Sequence, residues 1–356
     1  MGRNSHKLET KAGATLFRTI PFLALLAALA AGPAARAQTP AEFYRGKTVK
    51  IMIAGAPGAA YDFVGRVLAA HIGKYIPGNP AVLVENVPGA ASLVLLNNTY
   101  NKAARDGTVF SLSLNGVVLE PRLKVLSREG GATNFDLSRM EFVGTPTQQP
   151  QVLWVFHKTP FQTAADLTKI KAIMGSTAPG GDNSILPALS NVFLGTKMEV
   201  VTGYPSVNNI FLASETGEVH GGTVNYSSLA GKTDWVAEKK ARVLLQFGVE
   251  RIPELPDVPT AIELARDEVG RQALRVYALK YKTTYPFILP PGVPPDRIAI
   301  LRAAFMATMK DPGFIEDSRR IGVDVNPLGG EEIRALMREI DAAPEAAIDS
   351  LRKILN

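Results

Sequence analysis

The stretch "TVKIMIAGAPGAAYDFVGRVLAAHI", Thr48–Ile72, joins two hydrophobic patterns. Apolar residues alternate in its first six positions, as in a β-strand, and recur at helical spacing from Phe63 onward. Between the two patterns, Gly55–Ala60 contains only glycine, alanine and proline. A strand, a tight turn and a helix in this order form the repeating unit of α/β folds.

The same alternation continues along most of the chain. Further strand patterns are "AVLVEN", "TVFSLSL", "QVLWVF", "KAIMGS", "MEVVTG" and "RVLLQF". Helical patterns lie between them at Phe63–Ile76, Ser92–Ala104, Ser184–Leu194, Val207–Thr216 and Ser227–Lys240. After the proline-rich connectors that begin at Pro253, the patterns are mainly helical, at Asp296–Met309, Pro312–Ile321 and Glu331–Leu355. This order predicts an α/β protein whose mixed sheets are flanked by helices.

The length of the chain predicts two lobes, because roughly 320 residues after a leader exceed what one hydrophobic core usually serves. We expect residues 41–152 and 248–356 to form a discontinuous lobe 1 and residues 153–247 to form lobe 2. The C-terminal helical patterns have hardly a strand of their own, so they are expected to return to the sheet of lobe 1. Two consecutive domains with a helical tail are the alternative.

Residues 1–37 have the pattern of a signal peptide. Basic residues precede a short apolar stretch, and Ala35-Arg36-Ala37 has the small-x-small form of a cleavage site. An N-terminal membrane anchor is the alternative, but the stretch is short for a span and is interrupted by Pro21, Gly32 and Pro33. We expect export to the periplasm with cleavage near Ala37.

Charge and composition exclude several classes of function. The first 37 residues hold five basic residues and one acid, so 34 basic and 32 acidic residues remain of 39 and 33. This balance does not favour nucleic-acid or membrane-surface binding. The chain has no cysteine and four histidines. We therefore expect no thiol catalysis, no metal site and no cofactor.

Four turns between a strand and a helix have an unusual composition, and ligands in open α/β sheets bind where strands end and helices begin. Asp62 and Ser92 are expected to cap the helices after the first two turns. Asn115 and Asn225 follow strands and are expected to reach the cleft that two lobes would form between them. The residues predicted to contact a ligand in the turns are Pro57, Gly58, Ala59, Ala60, Tyr61 and Asp62, then Pro88, Gly89, Ala90 and Ala91, then Ser176, Thr177, Asn183 and Ser184, and finally Tyr204.

Small side chains in these turns let backbone N–H groups approach a ligand, and the positive end of each helix dipole favours an anion. Ordinary turn chemistry is the alternative for each turn taken alone. Likewise, Tyr61 and Tyr204 can simply cover core edges. The chain has no P-loop, no G-x-G-x-x-G, no H-E-x-x-H and no G-x-S-x-G motif at a turn, so the patterns favour a binding protein over an enzyme.

Several segments together resemble a known family. "VENVPGAASL", "ARDGTVF", "VTGY", "LPDVPTAIELA", "PPGVPPDRIAILRAAF" and "KDPGF" occur in order at sensible spacing over nearly all of the chain after residue 37. They are similar to the extracytoplasmic solute receptors of tripartite tricarboxylate transporters, the Bug-type or TctC-like proteins. The resemblance implies a two-lobed, type II periplasmic-binding-protein (flytrap) fold that closes on a small organic acid and passes it to membrane transporter subunits.

The resemblance also implies which turns hold the ligand. Main-chain groups of Pro57–Asp62 and Pro88–Ala91 would bind a carboxylate, and Ser176–Ser184 and Tyr204 would contribute from the opposing lobe. This chain departs from the family in the first turn, where Ala59, Ala60 and Tyr61 replace a glycine-rich run, and at Val224-Asn225, where the family commonly has Asp-Asn. A monomer is expected. An exported hydrolase, and a ligand sensor without a transport role, are the alternative functions.

Overall fold

The structure is a computed structural model that describes residues 1–2, 38–127, 132–232, 234–235 and 238–355. All but the first two residues of the predicted signal peptide lie outside this range. Of the helices in the described residues, none combines the length and the apolar character needed to cross a membrane.

Two β-sheets organise the chain. The strands are β1 Thr48–Ile53, β2 Ala81–Asn86, β3 Val109–Leu112, β4 Glu141–Thr145, β5 Gln151–Phe156, β6 Ala172–Ser176, β7 Met198–Thr202, β8 Gly221–Asn225, β9 Ala241–Phe247, β10 Phe287–Leu289 and β11 Leu328–Gly329. The first sheet has the order β11-β4-β10-β3-β1-β2 and the second has the order β7-β6-β8-β5-β9. Each sheet contains both parallel and antiparallel pairs, which confirms the prediction of an α/β fold with mixed sheets.

Helices lie between the strands. They are α1 Pro40–Tyr44, α2 Ala60–Ile72, α3 Leu93–Asn101, α4 Glu120–Leu123, α5 Asp166–Lys169, α6 Asp182–Leu194, α7 Val207–Thr216, α8 Tyr226–Ala230, α9 Glu268–Leu279, α10 Pro295–Thr308, α11 Pro312–Arg320, α12 Gly330–Asp341 and α13 Glu345–Leu355. The predicted helix over Glu331–Leu355 is two helices, because Pro344 cannot continue the hydrogen-bonding pattern of α12.

The packing of α2 on β1 explains why the opening stretch folds as predicted. Val64, Leu68 and Ile72 recur at intervals of four and are buried against the alternate β1 residues Val49, Ile51 and Ile53. Each such side chain stabilises the fold by about 1.5–3 kcal/mol relative to an exposed one. A Cβ at position 65 would overlap the Ile53 side chain, so glycine there lets helix and strand approach closely.

Several elements do not follow the sequence patterns. Helix α9 follows the charge-rich "RDE" segment, where Asp267 caps it by accepting a hydrogen bond from the Gly270 amide at 2.7 Å. Strand β10 lies inside the proline-rich segment 286–295 and pairs with β3 and β4, so this segment is more than a connector. Glycines interrupt the apolar runs of β4 (Gly144) and β8 (Gly221 and Gly222), and β11 has only two residues, so a periodic pattern does not reveal these strands.

The C-terminal segment contacts both sheets. Strands β10 and β11 complete the first sheet. Helices α9 and α13 pack on α6, which lies beside the second sheet, and one cluster of buried apolar residues runs from Leu93 to Leu189 and Leu351. The division into lobes at residues 152 and 248 remains a prediction.

Gly221 gives a test of the packing in the second sheet. A Cβ at this position of β8 would lie far inside van der Waals contact of the Trp154 carbonyl, and a backbone atom cannot move aside. We expect Gly221→Ala to lower the free energy of unfolding by about 2–3 kcal/mol in urea titrations. Gly116→Ala is the control, because its Cβ would meet the Leu126 side chain at an ordinary 3.5 Å. Equal stability of the two variants would contradict this packing.

Candidate functional site

The predicted turns lie at the edges of the two sheets, and one chain segment connects them. The turns after β1, β2 and β3 lie at the carboxyl edge of the parallel part of the first sheet, and those after β6, β7 and β8 at that of the second. The segment 277–285 runs from the last residues of α9 to just before β10, and it contacts turns of both sheets. It accepts a hydrogen bond from Tyr61 at Thr284, and Lys280 pairs with Asp182.

Asp62 is not the N-cap of α2 as predicted. The cap position belongs to Ala59, which has no side-chain cap, and Asp62 is the third helical residue. Its buried carboxylate accepts hydrogen bonds from the Gly58 backbone N–H, the Arg66 guanidinium and the Asn86 side-chain amide, each at 2.9 Å. The partner from β2 is distant in sequence, so local pattern reasoning could not find this arrangement.

The pKa of Asp62 reflects these contacts. Burial by itself would raise the pKa of this carboxyl, but hydrogen bonds from Arg66, the Gly58 amide and Asn86 stabilise the charged form and lower the pKa to about 2. The carboxylate is therefore ionised throughout the neutral range, and it holds the β1–α2 turn to the end of β2.

The first turn exposes unused backbone donors. Pro57, Gly58, Ala59 and Ala60 are all exposed, and Gly58 has a φ of +82° that favours glycine. The Gly58 amide is occupied by Asp62. Among the described residues, the amides of Ala60, Tyr61 and Asp62 have no acceptor, as expected for the first residues of a helix. These amides and the helix dipole can bind an anion.

Tyr61 contacts protein groups on both sides. Its hydroxyl donates to the Thr284 carbonyl at 3.0 Å and accepts from the Asn115 amide at 3.3 Å. Its ring meets the edge of Tyr285, with ring centroids 4.8 Å apart. Burial raises the pKa of the Tyr61 phenol well above its usual value. The structure thus brings Tyr61 and Asn115 together, and Tyr61 joins the first turn to the segment 277–285.

The second turn is conformationally unusual. Gly89 has a φ of +135°, and the three residues after it, Ala90, Ala91 and Ser92, all have positive φ. Left-handed geometry costs roughly 1–2 kcal/mol for each non-glycine residue. Ser92 lies at the predicted cap position of α3, but its hydroxyl accepts from the Leu114 amide at 3.0 Å and does not cap the helix. Pro88 and Gly89 are exposed beside it.

In the third turn the predicted polar side chains mostly bind one another. The buried Ser176 hydroxyl donates to Asn183 Oδ1 at 2.8 Å, and Asn183 donates to the Thr177 hydroxyl at 3.3 Å. The Ser184 hydroxyl donates to the Gly181 carbonyl at 2.9 Å. These bonds shape the turn. Among the described residues, the amides of Asp182 and Asn183 at the start of α6 have no acceptor.

The remaining predicted residues, Tyr204 and Asn225, are hydrogen-bonded to neighbours in or beside the second sheet. The Tyr204 hydroxyl donates to Glu218 at 2.6 Å, and burial together with this carboxylate raises the pKa of Tyr204 to about 12. Asn225 accepts a hydrogen bond from Gln151. Among the described residues, neither side chain hydrogen-bonds to the first or second turn.

Sequence reasoning missed a buried polar cluster beside the third turn. Asp182 accepts hydrogen bonds from Lys280 at 2.6 Å and from the Tyr277 hydroxyl at 2.9 Å. Lys280 is only 7% exposed. Its position in "VYALKYKTTY", one helical turn after Tyr277 on an apolar helix, was the available signal.

A cavity of about 410 Å³ lies where the chain passes between the sheets, and it is lined by Gln149, Tyr226, Gly248, Tyr281 and Asn326, among others. None of the sequence-predicted site residues lines it. Within the described residues, no group of three or more acidic or histidine side chains is placed to hold a metal.

The low pKa of Asp62 predicts an acid-dependent loss of stability. A carboxyl whose pKa is depressed on folding stabilises the protein above its unfolded pKa, near 4, and loses this contribution as pH falls towards 2. We expect Asp62→Asn to be less stable than wild type at pH 7 and to lose less stability between about pH 4 and pH 2 in urea titrations. The exposed Asp257→Asn is the control. Parallel pH profiles for wild type and Asp62→Asn would refute this role.

Comparison with known proteins adds the fold relationship. No family model and no curated protein matches the chain. A TctC solute-binding protein from Polaromonas, solved without ligand, has a TM-score of 0.68 at 17% identity over 88% of this chain and 99% of that chain. The periplasmic binding protein BugD has a TM-score of 0.53 at 18% identity over 87% and 98% of the two chains.

Two Rhodopseudomonas palustris proteins were solved with carboxylates. One holds adipate and has a TM-score of 0.55 at 20% identity over 87% of this chain and 96% of that chain. The other, MatC, holds malate and has a TM-score of 0.54 at 17% identity over 87% and 99% of the two chains. Over most of its length, the chain therefore has the fold of the TctC and Bug periplasmic solute-binding proteins.

Proposed function

We propose that this protein is an exported receptor that captures a small organic acid between its two lobes and delivers it to a tripartite tricarboxylate-type membrane transporter. One observation carries the proposal: at the start of α2, three amides have no acceptor in the part of the chain that the structure describes, and they follow a turn of small, exposed residues. Proteins of the same fold hold adipate and malate.

Backbone amides are sufficient to bind a carboxylate. A hydrogen bond to a charged group contributes about 1.5–3 kcal/mol, so two or three of them give useful affinity without an arginine or lysine in contact. The start of α6 offers two further amides from the other sheet. A ligand that touches both sets favours the arrangement in which the two sheets approach, because it binds that arrangement better.

The proposal places residues 41–152 and 248–356 in one lobe and 153–247 in the other, with cleavage near Ala37 and a periplasmic location. The order of the strands supports the division into lobes, since β10 and β11 pair in the first sheet and β5–β9 form the second; the second sheet itself begins at Gln151, two residues before the proposed lobe boundary. Delivery to transporter subunits by a monomer belongs to the same proposal.

A hydrolase is less well supported by the placement of the histidines. His71 lies near the C-terminal end of α2, and its Nε2 atom is 2.9 Å from the Asp317 carboxylate. His220 Nδ1 accepts a hydrogen bond from the Ile173 backbone amide at 2.8 Å. Both contacts belong to packing between elements and lie away from the predicted turns.

A ligand panel tests the proposal. We expect one or more of acetate, benzoate, malate, adipate and citrate to raise the melting temperature of the protein purified after export, because a ligand that binds only the folded state stabilises it. The methyl esters of the same acids are the controls and are expected to have no effect. Equal shifts from acids and esters, or no shift from any acid, would contradict the proposal.

Ala60→Pro removes a single proposed donor. Proline is well tolerated at the first position of a helix, and Ala59 before it is extended, with φ −82° and ψ 164°. We expect the affinity for a bound acid to fall by about 10-fold or more in calorimetry, since one charge-assisted hydrogen bond is lost.

Glu268→Pro makes the same backbone change at the first residue of α9, where Asp267 is also extended, and it is expected to bind like wild type. Ala60→Ser keeps the amide and should retain affinity. If Ala60→Pro melts and binds like wild type, the amides of α2 do not hold the ligand.

A further inference from the structure

Both helix starts that offer amides also carry an aspartate in their first turn. Asp62 is the third residue of α2 and Asp182 is the first residue of α6. A carboxylate at this position adds negative charge where the helix dipole would attract an anion. Each aspartate is paired with one cation, Asp62 with Arg66 at 2.9 Å and Asp182 with Lys280 at 2.6 Å.

The two pairs differ in where the cation lies. The Arg66 side chain is 51% exposed, so solvent screens its charge, while the Lys280 side chain is 9% exposed. Lys280 Nζ also donates to the Tyr277 hydroxyl at 2.9 Å and lies over the rings of Tyr277 and Tyr281, 4.1 and 5.1 Å from their centroids. Lys280 is therefore held in one place.

Stability alone does not account for this lysine. Burying an ion pair seldom stabilises a fold more than apolar residues of the same volume would, because desolvation offsets the attraction. The cluster also contains the buried Tyr281 hydroxyl, which makes no hydrogen bond of normal geometry among the described residues, although Asp182 is close enough to raise the pKa of this phenol further above the value that burial gives it. Keeping these buried polar groups costs stability, so a role at the adjoining start of α6 explains the cluster better than stability does.

The exposed member of the pair is the acid. The Asp182 side chain is 25% exposed at the edge where the third turn lies, and Lys280 approaches it from the protein interior. An anion bound at the α6 amides would lie close to the Asp182 carboxylate, because Asp182 is the first residue of this helix. Without Lys280, that carboxylate would repel it.

We propose that Lys280 is a positioning residue that sets the charge of the ligand site: it neutralises Asp182 from the interior, so that the start of α6 accepts a carboxylate that Lys280 itself does not touch. This inference rests on the proposed function. Arg66 has the same relation to Asp62 in the first turn, with a weaker effect because it is exposed.

Opposite changes in affinity test the proposal. For each acid of the panel (malate, adipate, acetate, benzoate and citrate) that binds the wild type, we expect Lys280→Met to weaken binding by about 10-fold or more at low salt, because Asp182 is left unneutralised. We expect Asp182→Asn to strengthen it by about 3-fold or more, and the double variant to return to within about 3-fold of wild type. Titration calorimetry of the exported protein gives the affinities, and high salt should reduce all the differences.

Lys171→Met is the matched control. Lys171 pairs with Glu199 at the opposite edge of the same sheet, so this variant removes the same charge away from the site and is expected to bind like wild type. Melting curves show which variants fold. If either single variant does not fold, the double variant decides, since it leaves neither a buried acid nor a buried cation unpaired.

Each other outcome would overturn the proposal. Weaker binding in both single variants would indicate structural damage, and a double variant as weak as Lys280→Met would indicate direct contact between Lys280 and the ligand. Unchanged affinity in Lys280→Met removes this inference and leaves the proposed function standing. A wild-type protein that binds none of the acids removes both.

Discussion

The buried carboxylate of Asp62 is the interaction on which the carboxyl edge of the first sheet depends. It gathers donors from the β1–α2 turn, from α2 itself and from the end of β2. Asn86 extends the network by donating to the Gly55 carbonyl at 2.9 Å. Hydrogen bonds to an ionised group are stronger than neutral ones, so the turn is held firmly although its residues have almost no side chains. Among the described residues, the first amides of α2 are left without an acceptor.

The segment 277–285 makes the two sheets dependent on each other. Tyr61 reaches Thr284 from the first sheet, and Asp182 reaches Tyr277 and Lys280 from the second. The Gln149 amide, in the chain connection from β4 to β5, also donates to Thr284 Oγ1 and to the Tyr281 carbonyl. A rotation of one sheet relative to the other has to change the geometry of these bonds. Tyr61 and Asp182, which belong to the candidate site, thus make bonds that such a rotation would alter.

Much of this fold could be predicted because its long strands and amphipathic helices leave periodic apolar patterns. Strands β1, β2 and β5 have the predicted bounds. The failures have a common physical origin in partners that are distant in sequence. Strand β10 is only three residues long and exists because β3 and β4 lie on either side of it.

The site shows the same division between local and distant causes. Exposed small residues in the first turn could be predicted, since they follow from composition. The capping roles of Asp62 and Ser92 could not be judged locally, because Asn86 and the Leu114 amide engage these side chains. The pairing of Asp182 with Lys280 spans 98 positions, which no turn motif encodes.

The run Ala90-Ala91-Ser92 has a consequence for how this protein tolerates change. Three adjacent residues with a Cβ hold a backbone shape that glycine or asparagine would adopt with less strain, so the native state keeps tension beside the second turn. Substitutions that relax this backbone strain would raise the free energy of unfolding, and they would also let the loop adopt other conformations. Stability and the present backbone shape therefore place opposite demands on this short segment, and its alanines keep the shape at a cost in stability.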